Sequence, residues 1–455
     1  MSPDVVVIGA GISGLQTARL LQQRGARVLV VEARDRVGGR TLSTSLQGAR
    51  FDLGGQWVGP TQPRVLALAD RLGMARFETH HSGRKLLDLR GRLRTWQGEI
   101  PSLPLPSLAI LQLALNRIDR LSRRMALGRP WEDERSAPLD ELTIAAWCER
   151  HLPSRDVRDL VALTVRSVLS MEPEEVSFLW FLHYVRNAGG VDPLIQTQGG
   201  AQQWRFVDGA QGISLGLADA LGPDHLWLDA PVQRVVPADD GRLEVHAGAL
   251  GDRRVAARRV VVAMAPPLVQ RITFEPMLSP NRVLLQQRMP MGYTIKYLAT
   301  YPRAFWRAAG WSGESAGWDG LLSFTFDNTS HDGQVPCLVG FVNGRRAMEL
   351  SRLDATERQA QVLAALARYF GPEAAQPVYF HEQDWNREPW SMGCPVASAG
   401  PGTLRGLGPE LRAPQGAIHF AGTETATEWC GFMEGALQAA ERCSEEVWTA
   451  LQSEG

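Results

Sequence analysis

Apolar and polar positions follow two rhythms along this chain. Residues 5 to 8, VVVI, are an uninterrupted apolar run, the pattern of a strand buried on both faces. The glycine turn GAGISG follows, then LQTARLLQQRG with apolar residues at helical spacing, then a second buried strand, VLVVEA. From 81 to 200 the helical period dominates. LAILQLALNRIDRLSRRMAL, LDELTIAAWCERHL and VRDLVALTVRSVLSM each predict a helix, with proline-rich joints near 101 to 106. Strand signals return in HLWLDAPVQRVV, LEVHAG and RRVVVAMAP. Residues 286 to 384 mix strands with the helix ATERQAQVLAALARYF, and the C-terminal segment holds the strand AIHFAGTE and the helix MEGALQAAERCSEEVWTAL. There is no internal repeat and no low-complexity tract. At 455 residues the chain exceeds one core, and the pattern predicts two domains built from discontinuous segments.

Composition narrows the chemistry by exclusion. With 44% hydrophobic and 21% charged residues it is that of an ordinary globular protein. A formal net charge of -1 provides no electrostatic pull on nucleic acid. Five scattered cysteines (Cys148, Cys337, Cys394, Cys430, Cys443) form no C-x-x-C pair, which suits a reducing compartment rather than a disulfide framework. The nine histidines show no ligand spacing, so no metal is expected, and His80-His81 reads as a surface loop. MSPDVVVIGAG carries no basic leader, and the longest apolar run, LPLPSLAILQLALN, is broken by prolines and too short for a bilayer. A cytoplasmic protein without a membrane anchor is the expectation.

The first motif is a dinucleotide turn. Gly9 permits the tight turn, Gly11 lets a pyrophosphate approach the backbone, and Gly14 lets helix and strand pack. The helix N-terminus, with Ser13 in its first turn, then faces the phosphates, and Glu32 after strand two can accept from a ribose. A lone G-x-G-x-x-G would be weak evidence; strand, helix and acid in register make it strong. EARDRVGGRT, residues 32 to 41, adds a glycine pair and Arg40, which can neutralise a pyrophosphate from the other side and favours FAD over NAD. Glu32 would repel the 2′-phosphate of NADP despite Arg34 and Arg36. FDLGGQWVGPTQ (51 to 62) offers a further glycine pair where backbone can approach an isoalloxazine ring.

A second oddity is a lysine. The chain has only Lys85 and Lys296, and Lys296 stands in YTIKYLATY, a β-branched and aromatic run predicting a strand at least half buried. A cation there costs desolvation unless it has a partner or a task; the plain alternative is a lysine snorkelling from an edge strand.

Taken together, VVVIGAGISGL, EARDRVGGRT, DLGGQWVGPTQ, EVSFLWFLHYV, GGAQQWRFVDGAQGIS, IKYLATYPRAFW, GCPVASAGPG and AGTETATEWCGFMEGAL resemble, in order and spacing, the flavin-containing monoamine oxidase family over nearly the whole chain. The resemblance implies an α/β protein: a Rossmann-like FAD-binding domain (1-80, 203-285 and 385-455) with a discontinuous α+β substrate-binding domain (81-202 and 286-384). This is the amine oxidase/p-hydroxybenzoate hydroxylase-like architecture. It implies that Glu32 holds the adenosine ribose, that Arg34 and Arg40 lie along the nucleotide, and that the Val232 backbone meets adenine. Glu424 belongs to the ribityl or pyrophosphate region, Met433 presents its backbone N–H to the flavin C2 carbonyl, and Trp385 lies beside the flavin. Ala33, Gly39, Gly55, Gln56 and Gly422 complete the expected cofactor contacts.

Lys296 matches the family's lysine that reaches flavin N5 through a water. Phe432 matches one wall of the aromatic cage that orients the amine. The other wall is Pro395, so half the cage is missing, with Trp57 or Trp390 as its candidate replacements. Gln202 and Phe324 match cavity-lining positions. Cys394 stands where some members tether FAD by a thioether; a small buried thiol is its plain reading, and untethered FAD is the expectation. The implied reaction takes an amine to an imine, hydrolysed to an aldehyde or ketone, and reduces O2 to H2O2. The rivals are an L-amino-acid or cyclic-amine (nicotine-type) oxidase, a flavin desaturase and a non-catalytic FAD-binding protein. The expected partners are a small-molecule amine and O2, with a homodimer as the candidate assembly.

Overall fold

A computed structural model describes residues 2–98, 101–318 and 320–453. Five parallel strands form the first sheet, in the order Leu226–Trp227, Val28–Val31, Val5–Ile8, Arg259–Val262, Ile418–Phe420. The apolar runs explain this placement, because a parallel sheet is covered on both sides. Alternate residues divide between two cores. Val5, Val7, Val28 and Val30 pack under the helices Ile12–Gln23, Gln211–Leu221 and Met433–Gln452. Val6, Ile8, Leu29 and Val31 pack against a four-stranded sheet, Arg234–Pro237, Leu243–Ala247, Arg253–Ala257 and Thr273–Phe274.

The second large sheet has seven strands, in the order Tyr379–Asp384, Thr294–Thr300, Cys337–Asn343, Phe324–Asp327, Trp311–Gly317, Arg84–Leu89, Arg92–Trp96. A helical layer, Leu105–Arg124, Ile144–His151, Arg155–Leu169 and Phe178–Asn187, has its own core around Trp147, Trp180 and Phe178. No helix among the described residues is long and apolar enough to cross a membrane.

Two elements depart from the sequence pattern. The single helix expected over 139–152 is instead two, Ala137–Asp140 and Ile144–His151. Thr143 turns extended between them and its side-chain oxygen accepts from the Ala146 N–H at 3.0 Å, starting a new helix. The strand Arg253–Ala257 has little apolar signal of its own; it exists because it pairs antiparallel with Leu243–Ala247.

Candidate active site

One cavity of about 870 Å³ runs from the glycine turn to the helical layer. At its nucleotide end, Gly9 has φ +105°, and a Cβ on Gly14 would sit 1.9 Å from the Gly9 carbonyl oxygen. Gly14 therefore packs helix on turn and is not part of the wall. Gly11 is different: the nearest atom to a Cβ there is 4.0 Å away, so its backbone borders open space that a phosphate would fill. The Ser13 hydroxyl donates to the Ala421 carbonyl and ties the turn to the C-terminal strand.

Glu32 is held rigidly. Its Oε2 accepts from the Ala10 N–H at 2.7 Å and its Oε1 from the Arg34 N–H at 3.0 Å. Arg34 donates to Ser391 at 2.9 Å, while its Nε is buried without a protein partner beside the cavity. Ala33, Gly39, Val232 and Gly422 complete this end. Trp390 is here too, under the Arg271 guanidinium at 4.9 Å, so it does not replace the missing cage wall. Arg271 itself has no motif around it.

Arg40 crosses the middle of the cavity. It donates to Glu424 and to the Pro395 carbonyl, each at 2.7 Å. Burial lowers its pKa, but Glu424 outweighs that and the net direction is up. Glu424 is fully buried and lies behind Arg40 rather than in the cavity wall, so it is linked to the cavity through Arg40. Gly54, the first of the second glycine pair, leaves no room for a side chain: a Cβ would meet the Arg40 carbonyl at 2.2 Å. Trp385 is pinned by its indole N–H to the Leu53 carbonyl at 2.9 Å, and Gly55 and Gln56 follow in the wall.

Lys296 lies on an interior strand, paired on one side with Phe341 and on the other with Gln383, and is 2% exposed. That removes the snorkelling alternative. Its Nζ donates to the Gly54 carbonyl at 3.0 Å and to Gln56 Oε1 at 2.5 Å. Gln56 in turn donates to Asn328 at 3.0 Å. Burial brings the Lys296 pKa down to about 7, opposed chiefly by Asp52, a buried acid that sequence reasoning passed over in FDLGG.

Around this lysine the wall turns aromatic. Trp57 packs edge-on to Phe326 at 5.0 Å, and Phe324 stacks on Phe341 at 4.5 Å. Phe432 caps the helix that opens at Met433, which presents a helix N-terminus to the cavity. Tyr184 lies 6.1 Å from Phe432, ring to ring, and lines the cavity. It is an aromatic neighbour that the sequence reading left inside EVSFLWFLHYV without a role. Cys394 and Pro395 form the wall nearby, and burial pushes the Cys394 thiol up to about 11. Gln202 donates to the Leu194 carbonyl at 3.0 Å and leaves Oε1 buried without a partner. No group of three or more metal-ligating side chains occurs among the described residues.

Comparison with known proteins agrees with this geometry. The family model for flavin-containing amine oxidoreductases matches residues 12–448. The chain is 38% identical over 446 residues to a probable flavin-containing monoamine oxidase A of Dictyostelium discoideum, covering 98% of this chain and 97% of that one. It is 37% identical over 456 residues to a putative flavin-containing monoamine oxidase of Mycobacterium tuberculosis, with the same coverage. Among solved structures, cyclohexylamine oxidase from Brevibacterium oxydans superposes with a TM-score of 0.94 at 35% identity, over 99% of this chain and 100% of that one. Putrescine oxidase bound to putrescine does so at 0.94 and 32%, over 99% of each.

Proposed function

Because the chain belongs to the flavin-containing amine oxidoreductase family, we propose that the cavity holds FAD from Glu32 to Lys296 and an amine between Lys296 and Phe432. As a member of that family, the protein oxidises an amine to an imine and reduces O2 to H2O2. Bound FAD supplies the electron sink for the amine's α-carbon and hands the electrons to O2. The residues do the rest. Glu32 takes the ribose, the Gly11 backbone and the helix it opens take the pyrophosphate, and the N-terminus at Met433 faces the flavin's electron-rich edge. Lys296 in its protonated form provides a positive charge beside the redox centre, and Phe432 with Tyr184 orients the amine.

The observation that carries this reading is the continuity of the cavity: one space joins a dinucleotide turn to an aromatic chamber containing a buried lysine. We assign 1-80, 203-285 and 385-455 to the FAD-binding domain and 81-202 and 286-384 to the substrate-binding domain. The five-stranded sheet takes its strands from the first set, and the seven-stranded sheet takes its strands from the second. Of the cavity's arginines, Arg34 and Arg271 lie with the nucleotide residues and Arg40 is paired with Glu424, which leaves an amino-acid carboxylate without a clamp. The chamber is mainly apolar, and with Pro395 in place of an aromatic wall it suits bulky or cyclic apolar amines.

The purified protein should be yellow and bleach anaerobically with such an amine, then release peroxide when air is admitted. A colourless protein that binds NAD and cannot be loaded with FAD would refute the reading.

A further inference from the structure

The seven-stranded sheet provides a ruler for the substrate. Lys296 pairs with Phe341, Phe341 with Phe324, and Phe324 with Ala316, so the four share one face in a row across the sheet. All four line the cavity. Three strand spacings of ~4.8 Å place Ala316 roughly 14 Å from Lys296. Two residues before Ala316 stands Glu314, also in the wall, and its Oε2 lies 3.0 Å from Lys85 Nζ. Both lysines of the chain therefore line this one cavity, one at each end of an apolar floor.

The charge of the cavity beyond the nucleotide residues has a definite sign. Away from the nucleotide residues the wall carries Glu314, Asp119 and Asp192, against Lys85 as the only cation among the described lining residues besides Lys296. Asp119 Oδ1 is buried with no hydrogen-bond partner. An anionic substrate group would enter a chamber whose wall has an excess of carboxylates; a cationic one would be drawn in. A carboxylate has lone pairs for several donors, so Glu314 can accept from Lys85 and from an incoming ammonium together.

We propose that Glu314, anchored by Lys85, binds a second cationic group of the substrate, so that among long-chain amines the site prefers diamines with an apolar middle over monoamines. This rests on the amine-oxidase reading and extends it. A short diamine does not span the floor. A long monoamine spans it but leaves a methyl group against an ion pair.

The test compares dodecamethylenediamine, its mono-N-acetyl derivative and dodecylamine on the flavin-loaded enzyme, following flavin bleaching and peroxide release. The diamine should have a kcat/KM about tenfold or more above the other two, the order that one charged hydrogen bond supplies. Glu314→Gln should remove that advantage, mainly through KM, while leaving dodecylamine within about twofold. Equal rates for the three amines in the wild-type protein would overturn the inference even if Glu314→Gln failed to fold. So would a parallel loss on diamine and monoamine in the variant, or a preference for the acid-terminated analogue ω-aminododecanoic acid. In each of these cases amine oxidation itself stands. If cyclohexylamine and all of the long amines fail to bleach the flavin, the amine-oxidase reading falls first, and this inference with it.

Discussion

Replacing Lys296 with methionine isolates the energetics of the buried cation, because methionine keeps most of the apolar stem and removes the charge. In the fold, burial moves the lysine from 10.5 to about 7, which corresponds to about 5 kcal/mol disfavouring the ammonium inside the protein. The sign follows from proton linkage. Between the two pKa values the unfolded chain holds a proton that the folded chain lacks, so wild-type stability rises with pH, by about 1.4 kcal/mol per pH unit. The contribution is fully present above the unfolded pKa and is lost as pH falls through about 7. Raising the pH from about 7 to about 9 should therefore stabilise the wild type by roughly 2 to 3 kcal/mol relative to Lys296→Met. With an unfolding entropy of roughly 2 cal/mol/K per residue over 455 residues, that is about 3 °C in Tm. The assay is a pair of thermal melts across this range on protein stripped of flavin. Melting curves that shift in parallel with pH would mean that Lys296 keeps its proton in the folded state as it does in the unfolded chain, and the account of its burial would be wrong.

Three further outcomes concern the reaction. In the flavin-loaded enzyme below about pH 7, where Lys296 keeps its proton, Lys296→Met should slow reoxidation by O2 about tenfold to a hundredfold, some 1.4 to 2.7 kcal/mol of barrier, and reduction by amine less; stopped-flow separates the two steps, and an unchanged oxidative step would deny the lysine its role. Phe432→Ala should slow flavin reduction without loss of bound flavin, because the amine loses its orienting face; an unchanged rate would make Phe432 a packing residue. Acid precipitation should leave the yellow colour in the supernatant, whereas colour retained in the pellet and lost in Cys394→Ala would establish a thioether.

Local pattern was enough for the nucleotide half of this protein. The turn at Gly9, Gly11 and Gly14, the acid at Glu32 and the helix start at Met433 are readable because each depends on residues a few positions apart. The buried strand around Lys296 was legible for the same reason, since its side chains are apolar and β-branched on both faces. Tertiary structure decided what the linear order cannot express. It placed Glu424 behind Arg40, across 384 positions of sequence, and sent Trp390 to the nucleotide end beside Arg271. It brought Asp52 near enough to Lys296 to oppose the effect of burial on that lysine, and laid Glu314 against Lys85 at the far side of the same sheet face. Such pairings arise from strand register and sheet order, which bring distant residues within a few ångströms once the whole core closes. A charge that reads as an ordinary surface residue along the chain becomes part of a site only when its neighbours exclude water.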